Sequence, residues 1–194
     1  VLLDSEKPLG NGHLLPRGIL REPPSALRRA DAFILTRYKE ATGTIDQLNN
    51  ANNIPVFRSS HQPVGIVSGD YTRQLTLTQL KGKRVHAFSG IAQPDSFAKA
   101  ITDAGAKITA FDIFPDHHYY TTRELENIRH NFIKDKADLL LTTEKDGMRL
   151  QEFTDFLSDI YLLCIKMKIV PDENALKKFI LEKLGESRLK AEEV

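Results

Sequence analysis

Sulfur, net charge and long apolar runs are all scarce in this chain. Its one cysteine among 194 residues, Cys164, lies inside the apolar run Ile160 to Ile165, so it reads as a small buried hydrophobe and not as half of a disulfide. A reducing, cytoplasmic setting is expected. A formal net charge of +1 gives no general electrostatic drive towards nucleic acid. The basic residues that crowd together, Arg17, Arg21, Arg28 and Arg29, point to a local site rather than a field. No apolar stretch approaches the roughly 20 residues needed to cross a bilayer, and no charged-then-apolar leader with a cleavage site opens the chain. Any membrane association is expected to be peripheral. Internal repeats and low-complexity tracts are missing too. So is G-x-x-x-x-G-K-[ST]: Gly82-Lys83 follows Leu80-Lys81 without a glycine loop, and the chain cannot supply a P-loop of its own.

What is present is an ordinary globular composition, 41% hydrophobic and 27% charged, enough for one domain or two small ones with a real core. The chain starts at Val1 without methionine and runs straight into Val1-Leu2-Leu3-Asp4, so the partners of this strand are expected to be encoded upstream unless the chain was trimmed. A loop dense in Pro and Gly follows. Ser25 is placed to cap a short helical turn through Arg29, Ala32 to Thr36 reads as a strand, Thr44 to Asn52 as a helix and Ile54 to Phe57 as a strand. Residues 64–82, with Leu75-Thr76-Leu77-Thr78, read as an extended hairpin or bridging ribbon and divide a region 1–63 from a region 83–194.

From Lys83 a regular rhythm begins. Strands are expected at Arg84 to Phe88, Lys107 to Asp112, Asp138 to Thr142 and Ile160 to Ile165, with helices at Asp95 to Ala104, Arg123 to Ile133 and Lys145 to Phe153. Such alternation predicts an α/β fold, a parallel sheet flanked by helices. Leu125, Ile128, Phe132 and Ile133 would form one helix face, entered through a capping box of Thr121 and Glu124. Leu176, Phe179, Ile180 and Leu184 would stripe a C-terminal helix.

Ligands of open parallel sheets bind where strand ends lead into helices, and three segments fall there: Phe88 to Pro94, Phe114 to His118 and Thr142 to Asp146. Asp116-His117-His118 sets a carboxylate beside two imidazoles, suited to metal binding, to a tuned base, or only to a polar loop. Thr143 can cap a helix whose amides, with Lys145, attract an anion, although capping alone also explains it. In the loop after the first strand, Glu22 is able to reach a Mg²⁺ and Arg21 a phosphate, or the two are turn chemistry and a surface ion pair. His13, His61, His86 and His130 lack partners at diagnostic spacing and read as structural.

Gly10-Asn11-Gly12-His13-Leu14-Leu15-Pro16-Arg17-Gly18-Ile19-Leu20-Arg21-Glu22-Pro23 resembles the tetraacyldisaccharide 4′-kinase segment G-N-G-x-L-L-P-x-G-x-L-R-E-P without a gap. Ala87 to Ile91, Phe114 to His118 and Thr142 to Asp146 are similar to that family's A-F-x-G-I, F-P-D-H and T-T-E-K-D, in the same order. Arg17, Ile19 and Ala92-Gln93 depart from the usual residues. The resemblance spans nearly the whole chain. It implies transfer of the ATP γ-phosphate, with Mg²⁺, to the 4′-hydroxyl of a tetraacylated glucosamine disaccharide at the cytoplasmic face of the inner membrane. It further implies a P-loop NTPase-like remnant in residues 1–63, a hinge at 64–82 and a Rossmann-like domain in 83–194. Members carry a P-loop, a catalytic aspartate and an acidic Mg²⁺ motif upstream, which this chain lacks; about 150 residues, one domain's worth, are expected before Val1. By resemblance, His117 and Asp116 are the catalytic candidates, His117 tuning the catalytic aspartate, Glu22 lies near Mg²⁺ and nucleotide, and Asn11, Gly12 and Arg21 contact substrate or phosphate. Taken alone, the chain is expected to be an inactive α/β binding fragment. Metal-dependent DHH phosphoesterases share Asp116-His117-His118 but need further acidic ligands upstream, and the aspartates before Asp116 are isolated.

Overall fold

Among the described residues of the computed structural model, which are 1–38, 54–170 and 172–192, the elements are β1 (Leu2–Asp4), β2 (Phe33–Thr36), β3 (Val56–Ser68), β4 (Gln74–Leu75), β5 (Arg84–Ser89), α1 (Pro94–Asp103), β6 (Lys107–Ile113), α2 (Thr122–Lys134), β7 (Leu139–Thr143), α3 (Glu144–Arg149), α4 (Thr154–Asp159), β8 (Tyr161–Val170) and α5 (Glu173–Glu192). Short 3₁₀ turns occupy Pro24–Arg29 and Leu77–Leu80. The expected helix at Thr44 to Asn52 lies outside the described residues. The chain divides into two units, Val1–Gln62 with Met167–Val194, and Pro63–Lys166.

In the second unit β8, β7, β5 and β6 are neighbours in that order and run parallel. Successive strand residues point to opposite faces, and here both faces are apolar. Ile66, Val85, Ala87, Leu141 and Leu163 pack into one core, Val67, Phe88, Leu140 and Leu162 into the other. Strands apolar at every position need cover on both sides. Helix α1 brings Phe97 and Ile101 to the first core, and α2 brings Leu125 and Ile128 to the second. The second half of β3 forms the expected hairpin with β4, Ile66 opposite Leu75. His86 is fully buried with Nε2 2.9 Å from Asp112, a structural partner. Cys164 is a free thiol, pushed up to about 11 by burial and then by Glu144.

The first unit carries β1, β2 and the first half of β3, parallel and in that order, over a small core of Leu3, Phe33 and Leu35. Helix α5 belongs to it and sets Phe179 5.7 Å from Phe57. No helix among the described residues is long and apolar enough to cross a membrane.

Three local expectations change. Ser25 is not a cap: the turn starts after Pro23 without a side-chain cap, because Pro24 already supplies helical φ at the first position. The helix expected from Lys145 to Phe153 breaks into α3 and α4, joined by turns from Leu150 N–H to Gly147 O and from Phe153 N–H to Leu150 O. Leu150, Phe153 and Phe156 all face one core at three-residue spacing, which a 3₁₀ path keeps in line and an α-helix rotates away. Ile133 is 67% exposed, since it lies one residue, about 100°, past Phe132 on α2.

Packing of α3 on β8 yields a stability prediction. An added Cβ at Gly147 would stand 2.7 Å from Leu162 Cδ2 and 2.8 Å from Cδ1. Because Leu162 is fully buried, Gly147→Ala is expected to cost about 1–3 kcal/mol by overpacking. A urea midpoint equal to that of the parent would show that α3 can slide instead.

Candidate functional site

Register brings three loops to one edge of the second unit's sheet. Ser89 pairs with Ile113, Ala87 with Leu141 and Thr143 with Leu163, so the segments after β5, β6 and β7 all leave from the carboxyl end. Asp116 and Thr143 share that end, as the alternation predicts.

The segments are bound together by Asp146, the last residue of the Thr142 to Asp146 motif, to which the sequence alone assigns no separate role. Its side chain is fully buried, and a buried carboxylate is tolerable only when paired and hydrogen-bonded. Oδ1 accepts from Gly90 N–H at 3.1 Å and from Arg149 Nη1 at 3.0 Å, while Oδ2 accepts from the Thr143 hydroxyl at 2.7 Å. In return, Thr143 Oγ1 accepts from Asp146 N–H at 3.1 Å, which caps α3. The Thr143 hydroxyl therefore faces inward. Thr142 donates to Phe88 O at 2.7 Å and ties β7 to the end of β5. Tyr120 Oη is buried nearby, and burial, then the Asp146 charge, pushes its hydroxyl well above the ordinary range.

Arg149 extends the network outward. Nη1 also donates to Gly90 O at 2.8 Å, and Nη2 lies 3.2 Å from His117 Nδ1. His117 has φ +61°, donates its backbone N–H to Gly90 O at 3.1 Å, and leaves its side chain 81% exposed. Asp116 Oδ1 accepts from the same N–H at 3.0 Å, and its Oδ2 is 3.8 Å from His117 Nε2, beyond hydrogen-bond range. His118 turns the other way: its ring stacks on Phe114 at 4.7 Å and Nε2 meets both oxygens of Glu124 at 3.2 Å. Hydrogen bonds from Thr121, then His118, keep the Glu124 carboxyl below its usual range. Gly90 allows the three segments to meet, since a Cβ there would stand 3.0 Å from His118 Cβ and 3.2 Å from Pro115 O. Lys145 is exposed in the first turn of α3.

The remaining expected site residues lie in the first unit. Asn11 donates Nδ2 to Arg17 O at 3.0 Å and accepts from His13 N–H at 3.2 Å, so both ends of its amide shape the loop. Gly12, at φ +76°, supplies a backbone turn that side chains disfavour. Arg21 is exposed, and Glu22 pairs with Arg29, both well exposed. Among the described residues no group of three or more His, Cys, Asp or Glu is arranged to hold a metal. Asp146 and Arg149 had a faint signal, an Asp and an Arg three apart on a helix; their buried partners depend on strand register.

Comparison with known proteins agrees with this architecture. A tetraacyldisaccharide 4′-kinase of Syntrophus aciditrophicus (strain SB) is 39% identical over 194 residues, covering 94% of this chain and 52% of that protein. One of Anaeromyxobacter sp. (strain Fw109-5) is 41% identical over 156 residues, 77% of this chain and 42% of that one. The crystal structure of LpxK from Aquifex aeolicus, described as an "apo" form in complex with ATP, superposes with a TM-score of 0.62 at 30% identity, covering 93% of this chain and 50% of that one. The chain thus spans about half the length of the relatives it matches. Since residues 1–185 match the model of the tetraacyldisaccharide-1-P 4′-kinase family, the chain belongs to that family.

Proposed function

We propose that this chain supplies part of a kinase that transfers the γ-phosphate of ATP to the 4′-hydroxyl of a tetraacyl glucosamine disaccharide, the lipid A precursor. It works with a P-loop-bearing segment that is not among its 194 residues. One observation carries the reading: Phe114 to His118 and Thr142 to Asp146 are tied through Arg149 into a single edge that presents an anchored, exposed His117 ring. Phosphoryl transfer asks a protein mainly for positioning and charge neutralisation. His117 orients and tunes an aspartate base supplied by the other segment, with Asp116 fixing its backbone. Arg21 and Lys145 are exposed cations for phosphate oxygens, Thr143 caps the helix carrying Lys145, and Asn11 and Gly12 shape the loop carrying Arg21.

Mg²⁺ takes one or two carboxylates and completes its octahedron with phosphate oxygens and water. Glu22 fits as one such ligand, since its side chain is 61% exposed and its partner among the described residues, Arg29, is itself 73% exposed. When bound, the ion neutralises phosphate charge. Peripheral contact with the cytoplasmic face of the inner membrane is supported by Leu15 and Ile19, 62% and 73% exposed beside Arg17 and Arg21. In this reading residues 1–63 complete the nucleotide-binding core, 64–82 bridge, and 83–194 form the Rossmann-like part.

The test is a chimera in which residues 1–194 replace the matching half of the Syntrophus aciditrophicus relative. With radiolabelled ATP, Mg²⁺ and the disaccharide, the chimera is expected to phosphorylate within about a hundredfold of that relative, a barrier difference under about 3 kcal/mol. The 194-residue chain alone, lacking loop amides and lysine for the phosphates, is expected to fall below that range. A folded but inactive chimera, or an active lone chain, would overturn the reading.

A further inference from the structure

We infer that Arg149 is a positioning residue that fixes the His117 imidazole as its Nε2–H tautomer, so that His117 meets its partner as a hydrogen-bond donor. A guanidinium carries only N–H groups and accepts nothing. With Nη2 3.2 Å from Nδ1, that ring nitrogen must be the acceptor. The proton of the neutral ring therefore resides on Nε2, for the bond made at one nitrogen sets the other.

Arg149 is itself held in place. Nη1 donates to Gly90 O at 2.8 Å and to Asp146 Oδ1 at 3.0 Å, and its side chain is only 18% exposed against a fully buried Asp146. The His117 backbone N–H donates to the same Gly90 carbonyl at 3.1 Å. Ring and guanidinium are thus both referenced to one atom at the end of β5, which fixes their relative placement. Asp116 does not compete for the free proton, since its Oδ2 stays 3.8 Å from Nε2. What Nε2–H can meet is a hydrogen-bond acceptor, a carboxylate oxygen among them. In the proposed kinase, on which this last step rests, His117 therefore hydrogen-bonds the aspartate base and does not itself remove the proton of the sugar hydroxyl.

Nitrogen-15 NMR of the histidine rings in the 194-residue chain, at a pH well above the ordinary imidazole range so that the rings are neutral, tests the tautomer without any kinase assay. The expected result is an unprotonated-type Nδ1 and a protonated-type Nε2 for His117. Arg149→Lys keeps the charge beside Asp146 but loses the forked second donor, and should give a His117 ring averaged over both tautomers with other signals unmoved. A protonated Nδ1 in the parent, or an unchanged ring in Arg149→Lys, would overturn the assignment. In the chimera, Arg149→Lys is expected to lower kcat about ten- to a hundredfold, in line with supporting-residue and positioning losses, with KM for ATP within about twofold. The same substitution in a His117→Ala background should then change nothing. An equal loss in both backgrounds would mean that Arg149 does not act through His117. If the NMR pattern holds while the parent chimera is inactive, the kinase reading fails and the tautomer assignment stands.

Discussion

Asp146→Ala is expected to lower the unfolding free energy of the chain by about 3–5 kcal/mol, the range for removing one partner of a buried ion pair. The substitution takes an acceptor from Gly90 N–H and the Thr143 hydroxyl at once, and leaves Arg149 with a charge facing a hole. Each buried donor left unmatched costs about 1–3 kcal/mol, so the estimates agree. Asp146→Asn should cost less, because its amide oxygen still accepts from Gly90 N–H or Thr143. Urea unfolding followed by far-ultraviolet circular dichroism measures the difference. A loss below about 1 kcal/mol for alanine would mean that the carboxylate contributes little to holding the three loops.

In the chimera, His117→Ala should reduce kcat about 10²- to 10⁴-fold, the usual span for a residue assisting proton transfer, with little change in KM for ATP. A loss in turnover alone is the mark of an interaction made in the transition state. His118→Ala should differ in kind: its ring is packed between Phe114 and Tyr120, with centroids 4.7 and 5.0 Å away, and bonded to Glu124. Its removal should lower stability more than turnover. Equal kinetic effects from the two histidines, or a loss confined to ATP affinity, would reject the division of labour.

Much of the architecture was legible from periodicity. Strands such as Leu139-Leu140-Leu141 are apolar at every position because both faces are covered, and the Thr121–Glu124 box marked the start of α2 within a residue. The errors arose where local pattern and tertiary packing disagree: Gly147 and Leu150 sit in a helical pattern, yet Leu150, Phe153 and Phe156 share one core only if the backbone tightens between α3 and α4. The site was half legible. Motif order marked Asp116 and His117, but the residues that anchor them come from Gly90 in the loop after β5 and from Asp146 and Arg149 in α3, a convergence that strand register decides.

The left-handed backbone at His117, φ +61°, reaches further than its own ring. Two adjacent histidines in a plain extended or helical segment point in directions related by the regular repeat of that segment. Here the reversal of φ separates them, sending the first ring to solvent against Arg149 and the second into the aromatic wall of Phe114 and Tyr120. Joint chelation by the doublet would require one ring to leave Arg149 and the other to abandon both Phe114 and Glu124. A borderline divalent ion such as Zn²⁺, well suited to imidazole nitrogen, would therefore have to break both sets of contacts to exploit two histidines that the sequence writes side by side.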